Sequence, residues 1–184
     1  MPGLVLHDNP MSSNALKVRF LLAELDLPYE RRTVALSRPR PEAFMALNPV
    51  GGIPVLEDDD LVVSESHAIL RYLAGREGRD DLHPAAPRER AVVEEFLDRF
   101  ATGIRAAFFR HEAPALGYSR ERGGMGAVPP DPAAAAAAES AMQPTLRLLE
   151  GLVAADSVVL GRFTIADCAL APVLFRTTRT GLAG

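Results

Sequence analysis

The run Asn48-Pro49-Val50-Gly51-Gly52-Ile53-Pro54-Val55-Leu56, followed by Val62-Val63-Ser64-Glu65-Ser66-His67-Ala68-Ile69, decides how this chain is read. An apolar residue before a proline that opens a strand suggests a fixed Ile53-Pro54 bond, with the cis form open to it. The backbone N–H and C=O of Ile53 then face outward, available to an extended peptide. A few residues on, Ser64, Glu65 and Ser66 fall where a helix should begin. The unpaired N–H groups and positive dipole of a helix start attract a carboxylate. A backbone-pairing edge beside a carboxylate-capturing helix start describes a pocket for a small acidic peptide.

Upstream of this run, Leu4-Val5-Leu6-His7 reads as a short buried strand. After a loop through Asn9-Pro10-Met11-Ser12, the residues Val18, Leu21, Leu22 and Leu25 recur at helical spacing. Tyr29 to Leu36 reads as a second strand, and Pro41 to Leu47 as a short helix with proline in its first turn. Pro54-Val55-Leu56 and Leu61-Val62-Val63 flank an acidic turn, Glu57 to Asp60, as a β-hairpin. Ala68, Ile69 and Leu73 then return to helical spacing. The order β-α-β-α-β-β-α is thioredoxin-like, and periodicity alone supplies it.

Beyond the glycine-, aspartate- and proline-rich stretch from Gly75 to Pro87 the strand signals vanish. The expected division is an α/β unit over 1–76, a linker over 77–86 and an all-helical bundle over 87–184. Arg88 to Arg110 reads as one long amphipathic helix carrying Val92, Phe96, Leu97, Phe100, Ile104 and Phe108 on its apolar face. The stretch from Ala113 to Pro132 reads as a loop. Ala133 to Ala138 is a strong helix former, and Met142, Leu146, Leu149 and Leu152 give that helix a packing face. In Phe163-Thr164-Ile165-Ala166-Asp167-Cys168, Thr164 is placed to accept from the Asp167 N–H while the Asp167 carboxylate reaches back to the Thr164 N–H. Phe163 and Cys168 occupy the staple positions of that capping box.

With 184 residues, 48% apolar and 24% charged, the composition is that of a globular protein with a real core. A formal charge of −4 supplies no basic face for nucleic acid. No apolar stretch approaches the roughly 20 residues of a membrane span. Met1 to Leu6 lacks the basic start of a secretion signal, and the lone Cys168 cannot form an intramolecular disulfide. Both point to a cytoplasmic protein. The four histidines are scattered, His67 having no second ligand at useful spacing, so no metal is expected. Cys168 reads as a small buried hydrophobe.

The Ile53-Pro54 turn with Glu65-Ser66, followed in order by the Thr164 capping box, resembles the glutathione transferase family over nearly the whole chain. The likeness is to its bacterial, serine-type, theta- and zeta-like members. That resemblance implies glutathione as co-substrate, a small hydrophobic electrophile as its partner, and a homodimer. In the family, the loop after the first strand carries a Tyr, Ser or Cys that contacts the glutathione sulfur. Aligning Pro10-Met11-Ser12-Ser13-Asn14-Ala15-Leu16 on the following Lys17-Val18-Arg19 puts Ser12 at that position, with Ser13 and Asn14 one and two residues away as fallbacks. A free thiol of pKa about 8.5 is mostly protonated at neutral pH. A hydroxyl donating to sulfur beside a helix N-terminus favours the thiolate. Lowering the pKa by about two units needs roughly 2.7 kcal/mol. Ser12 is then a thiolate stabiliser and not a nucleophile. The plain alternative is that Ser12, Ser13 and Asn14 only cap the helix.

The same resemblance makes Glu65 and Ser66 the γ-glutamyl binders and gives Ile53, held by Pro54, the cysteinyl backbone. Relatives often carry a lysine where this chain has Gly52, so Arg38 or Arg40 is the expected partner of the glycyl carboxylate. Phe108, Phe109 and the loop from Ala113 to Pro132 are the expected walls of the second-substrate site. Family members continue past the capped helix with helical sequence that covers its outer side. This sequence ends at Arg179-Thr180-Gly181-Leu182-Ala183-Gly184, so part of the 165–175 helix is expected to lose cover. The absence of a cysteine in the reactive loop argues against disulfide exchange. Two other functions fit the same sequence. One is a glutathione-binding or interaction protein that kept the fold without catalysis. The other is a zeta-like isomerase, whose paired serines Ser12-Ser13 resemble, although Asn14 replaces the cysteine expected after them.

Overall fold

The computed structural model describes residues 3–153 and 159–180. Met1 and Pro2 of the N-terminal segment, and residues 181–184 of the ending, lie outside them. The first half runs β1 (Leu4–Asp8), α1 (Ser13–Glu24), β2 (Tyr29–Thr33), α2 (Glu42–Leu47), β3 (Val55–Asp58), β4 (Leu61–Ser64) and α3 (Ser66–Arg76). The second half is helical among the described residues: α4 (Pro87–Arg99), α5 (Arg105–Ala115), α6 (Pro132–Glu150) and α7 (Ile165–Thr180). This is the thioredoxin-like order followed by a helical bundle.

The sheet order is β2-β1-β3-β4. β1 pairs in parallel with β2 from Leu4↔Tyr29 to Asp8↔Thr33, and antiparallel with β3 through His7↔Val55. β1 lies between two strands and under helices on both faces, so Leu4 and Leu6 are buried along with His7 and Asp8. A strand covered on both faces reads as a nearly continuous apolar run, which is why its sequence was legible. On one face α1 and α3 contribute Val18, Leu21, Leu22, Ile69 and Leu73 to the core. On the other, α2 packs Phe44 on Val34 and Val55.

The long helix expected over 88–110 is two helices joined by a π-helical turn, Phe100–Ile104. The wider turn brings Phe96, Phe100, Ile104 and Phe108 all into the core. The loop begins later than the prolines suggested. Pro114 sits in the last turn of α5, where its carbonyl accepts from the Asp131 N–H at 2.9 Å. Asp131 also caps α6, accepting from the Ala134 N–H at 2.9 Å with Pro132 at the first helical position.

The capping box at α7 differs in one arm from the expected geometry. Asp167 does accept from the Thr164 N–H at 2.7 Å, but the Thr164 hydroxyl accepts from the Ala166 N–H at 3.2 Å instead of from Asp167. The Asp167 N–H bonds to the Thr164 carbonyl. The shorter aspartate spends its second oxygen on the Val159 N–H at 2.6 Å, tying the preceding loop to the helix start. Cys168 is fully buried, and burial, with the neighbouring Asp167 charge, pushes its thiol up to about 12. It is an inert core residue. α7 extends to Thr180, five residues past the expected Phe175, and Leu174 and Phe175 on it are exposed.

Candidate functional site between the two halves

The loop from β1 to α1 is held by its first residue. Asn9 accepts from the Met11 N–H at 2.9 Å, donates to the Val34 carbonyl at 2.8 Å, and takes the Ser12 N–H on its own carbonyl at 2.9 Å. This delivers Ser12 as the N-cap of α1, its hydroxyl oxygen accepting from the Ala15 N–H at 3.2 Å. The capping and sulfur-contact readings are therefore compatible, because a hydroxyl that accepts at one lone pair keeps its proton to donate. Ser13 is buried, and its hydroxyl accepts from Arg105 at 2.9 Å. A ligand would have to displace Arg105 from that oxygen, which sets Ser13 apart from Ser12.

Ser12, Ser13, Asn14, Arg40 and Ile53 line one cleft of about 220 Å³ between the two halves. The Ile53–Pro54 bond is cis, and the Ile53 backbone makes no hydrogen bond to another described residue. Arg38 and Arg40 both donate to the Gly51 carbonyl, at 3.2 Å each. Both thus reach the residue before Gly52, but Arg40 alone of the two lines the cleft. Gly51 has φ +67°, and a Cβ there would lie 2.6 Å from the Arg38 guanidinium. Glu65 and Ser66 lie at the start of α3, outside the lining of this cleft. Glu65 is exposed and Ser66 buried. Glu65 has φ +71°, a conformation L-residues adopt at a cost of about 1–2 kcal/mol. Such outliers persist where surrounding structure enforces them, commonly at ligand sites.

The opposite wall corrects one expectation. Phe108 is fully buried in the core and does not line this cleft, whereas Phe109 does, edge-on to Tyr118 with ring centroids 5.0 Å apart. Residues four apart on a helix share a face, so Phe108 follows Ile104 inward while Phe109 turns to the cleft. Tyr118 and Met125, from the loop after α5, complete the wall.

Sequence reasoning missed the charged groups at the cleft: Arg105 and Arg176, which line it, and the buried Glu112 and Lys17 behind them. Glu112 is fully buried and accepts from Arg105 at 3.2 Å and from Arg176 at 3.4 Å. Lys17, also buried, has its ammonium 3.2 Å from His67 Nε2 and 4.4 Å from the centre of the Phe100 ring. Burial, reinforced by the Arg105 charge, brings the Lys17 amine down to about 7. Burial and the Lys17 charge likewise push His67 down to about 3. A signal existed. Glu112 falls four residues after Phe108 on the apolar stripe of α5, and a carboxylate on a buried face requires a partner. Among the described residues no cluster of His, Cys, Asp or Glu is placed to hold a metal.

A thioredoxin-like half carrying a cis-proline edge and a hydroxyl-capped helix faces a helical half across a small cleft, which places this chain among two-part proteins with a site between their halves. Two family models match parts of this chain. The N-terminal domain of glutathione S-transferases matches residues 2–75 and their C-terminal domain matches residues 132–184. Glutathione S-transferase GstB of Escherichia coli is 33% identical over 181 residues, covering 93% of this chain and 81% of that protein. The chain belongs to the glutathione S-transferase family. A theta class glutathione S-transferase from Xanthomonas axonopodis pv. citri, solved with glutathione bound, superposes with a TM-score of 0.79 at 27% identity, covering 97% of this chain and 84% of that one. A probable elongation factor 1-gamma of Arabidopsis thaliana is 31% identical over 128 residues, 67% of this chain and 28% of that protein.

Proposed function

We propose that this glutathione transferase joins the thiolate of glutathione to a small hydrophobic electrophile, with Ser12 donating a hydrogen bond to the sulfur. The observation that carries this reading is the Ser12 hydroxyl. It caps α1 through a lone pair, keeps its proton, and faces a cleft shared with the unpaired Ile53 backbone. Ile53 takes the cysteinyl backbone, Pro54 holds that edge, and Arg38 and Arg40 take the glycyl carboxylate. Glu65 and Ser66 receive the γ-glutamyl end. The Ser12 hydrogen bond and the α1 dipole together supply the roughly 2.7 kcal/mol that lowers a thiol by about two units. The thiolate then forms a carbon–sulfur bond as the leaving group departs with its electron pair. Phe109, Tyr118 and Met125 offer the electrophile an apolar wall. The protein is read as a cytoplasmic homodimer divided at 77–86, and sedimentation should find twice the 19.8 kDa chain mass.

The test is a glutathione titration followed by calorimetry and by thiolate absorbance across pH, for wild type and Ser12→Ala. A lowered thiol pKa that reverts toward 8.5 in Ser12→Ala supports transfer chemistry. The second reading, a glutathione-binding interaction protein without catalysis, draws on the likeness to elongation factor 1-gamma and on Gly52. It predicts binding with no pKa shift in either protein.

A further inference from the structure

Both residues that flank Ser12 are held from the helical half, and both tethers end on one carboxylate. Arg176, near the end of α7, donates to the Met11 carbonyl and, through its other terminal nitrogen, to Glu112. Arg105, at the start of α5, donates to the Ser13 hydroxyl at 2.9 Å and to the same Glu112 oxygen at 3.2 Å. Glu112 is fully buried, and its other oxygen has no hydrogen-bond partner among the described residues. The contact from Met11 to Arg176 spans 165 positions of chain, and that from Ser13 to Arg105 spans 92.

This arrangement has a physical cost that ordinary packing would avoid. Three charged groups are taken out of water, and a buried ion pair is often no more stable than apolar side chains of the same volume. What it supplies is direction. A guanidinium is planar, with donors at fixed angles, so it sets the position of two acceptors at once. Here the acceptors are the backbone before Ser12 and the carboxylate that anchors the group behind Ser13. A cap residue is otherwise half-free, and a hydroxyl displaced by even 1 Å loses much of its bond to sulfur.

We infer that Glu112 and Arg176 are positioning residues of the transfer reaction, forming a clamp from α5 and α7 that sets the Ser12 hydroxyl against the glutathione sulfur. This inference rests on the reading of Ser12 as the sulfur contact. The clamp makes the helical half a working part of thiol activation as well as a wall for the second substrate.

The experiment is a double-mutant cycle of Arg176→Met with Ser12→Ala, read by the apparent thiol pKa of bound glutathione. S-Methylglutathione, which has no thiol to ionise, reports by its affinity whether the site is intact. Arg176→Met should raise the thiol pKa by about one unit while S-methylglutathione affinity stays within about twofold. In the Ser12→Ala background the same substitution should add nothing further. An equal shift in both backgrounds would mean that the lost positive charge acts on the sulfur directly, which overturns the clamp. No shift from Arg176→Met overturns it as well. Arg176→Lys keeps the charge but not the two-acceptor geometry, and should behave as Arg176→Met does. Glu112→Gln should raise the thiol pKa in the same direction. If all these variants lose S-methylglutathione binding, the cluster is structural and the inference fails. If Ser12→Ala alone leaves the thiol pKa unchanged, the proposed role of Ser12 fails first and the clamp with it.

Discussion

Lys17 and His67 share a buried contact in which neither carries its proton as readily as it would in water. His67 titrates near 3 in the fold and near 6.5 when unfolded. Between those values the unfolded chain binds more protons, so stability rises with pH from about 3 to 6.5 and is lost as the solution is acidified, by up to about 1.4 kcal/mol per pH unit. The same sign holds for Lys17 between about 7 and 10.5. Chemical denaturation at fixed pH values should show the acid limb flattened in His67→Gln. Lys17→Met should lose the alkaline limb and gain stability below pH 7. At this scale the sequence was partly legible. Ser12, Ile53 and Arg40 came to one cleft, whereas Arg38 reaches the Gly51 carbonyl without lining that cleft. Lys17 served only as an alignment landmark for placing Ser12, since nothing local announces a lysine that meets a histidine fifty residues away.

Among the elements, α7 depends on Asp167 more than on its threonine cap. Thr164→Ala removes one hydroxyl bond to the Ala166 N–H and should cost about 1 kcal/mol. Asp167→Ala strips the buried Val159 and Thr164 N–H groups of their acceptor, and should cost about 2–5 kcal/mol. Thermal or urea unfolding would rank the two, and a Thr164 variant as damaging as the Asp167 one would refute the ordering. At the turn before Ile53, Gly51→Ala places a side chain at φ +67° against Arg38, and should weaken glutathione affinity measured by calorimetry. Element order and most boundaries followed from periodicity and caps. The π turn at Phe100–Ile104 did not, because the apolar stripe looks the same whether one turn is wide or regular. Pro114 misled for a related reason. A proline in a last turn is tolerated there, yet in sequence it looks like a stop.

Across the whole molecule one hydrophobic core joins the two halves, running from Leu4 and Leu6 through Leu73, Phe100 and Phe108 to Ile165 and Val173. The stretch between the halves takes part: Leu82 is buried, and its carbonyl accepts the Ile165 N–H at 3.0 Å. Unfolding should accordingly be a single transition, with calorimetric and van't Hoff enthalpies equal. Two resolved transitions would show that the halves unfold independently. The sequence by itself determined what short-range forces set: the strands and helices, the capped start of α1, the proline edge at Ile53 and the capped start of α7. Each follows from hydrogen-bonding needs and apolar spacing within a few residues. Tertiary structure alone decided that Phe109 and not Phe108 faces the cleft, that Arg105 occupies Ser13, and that Arg176 reaches Met11. Those outcomes depend on how buried charges find partners when distant helices close on one another, and no local pattern encodes that pairing.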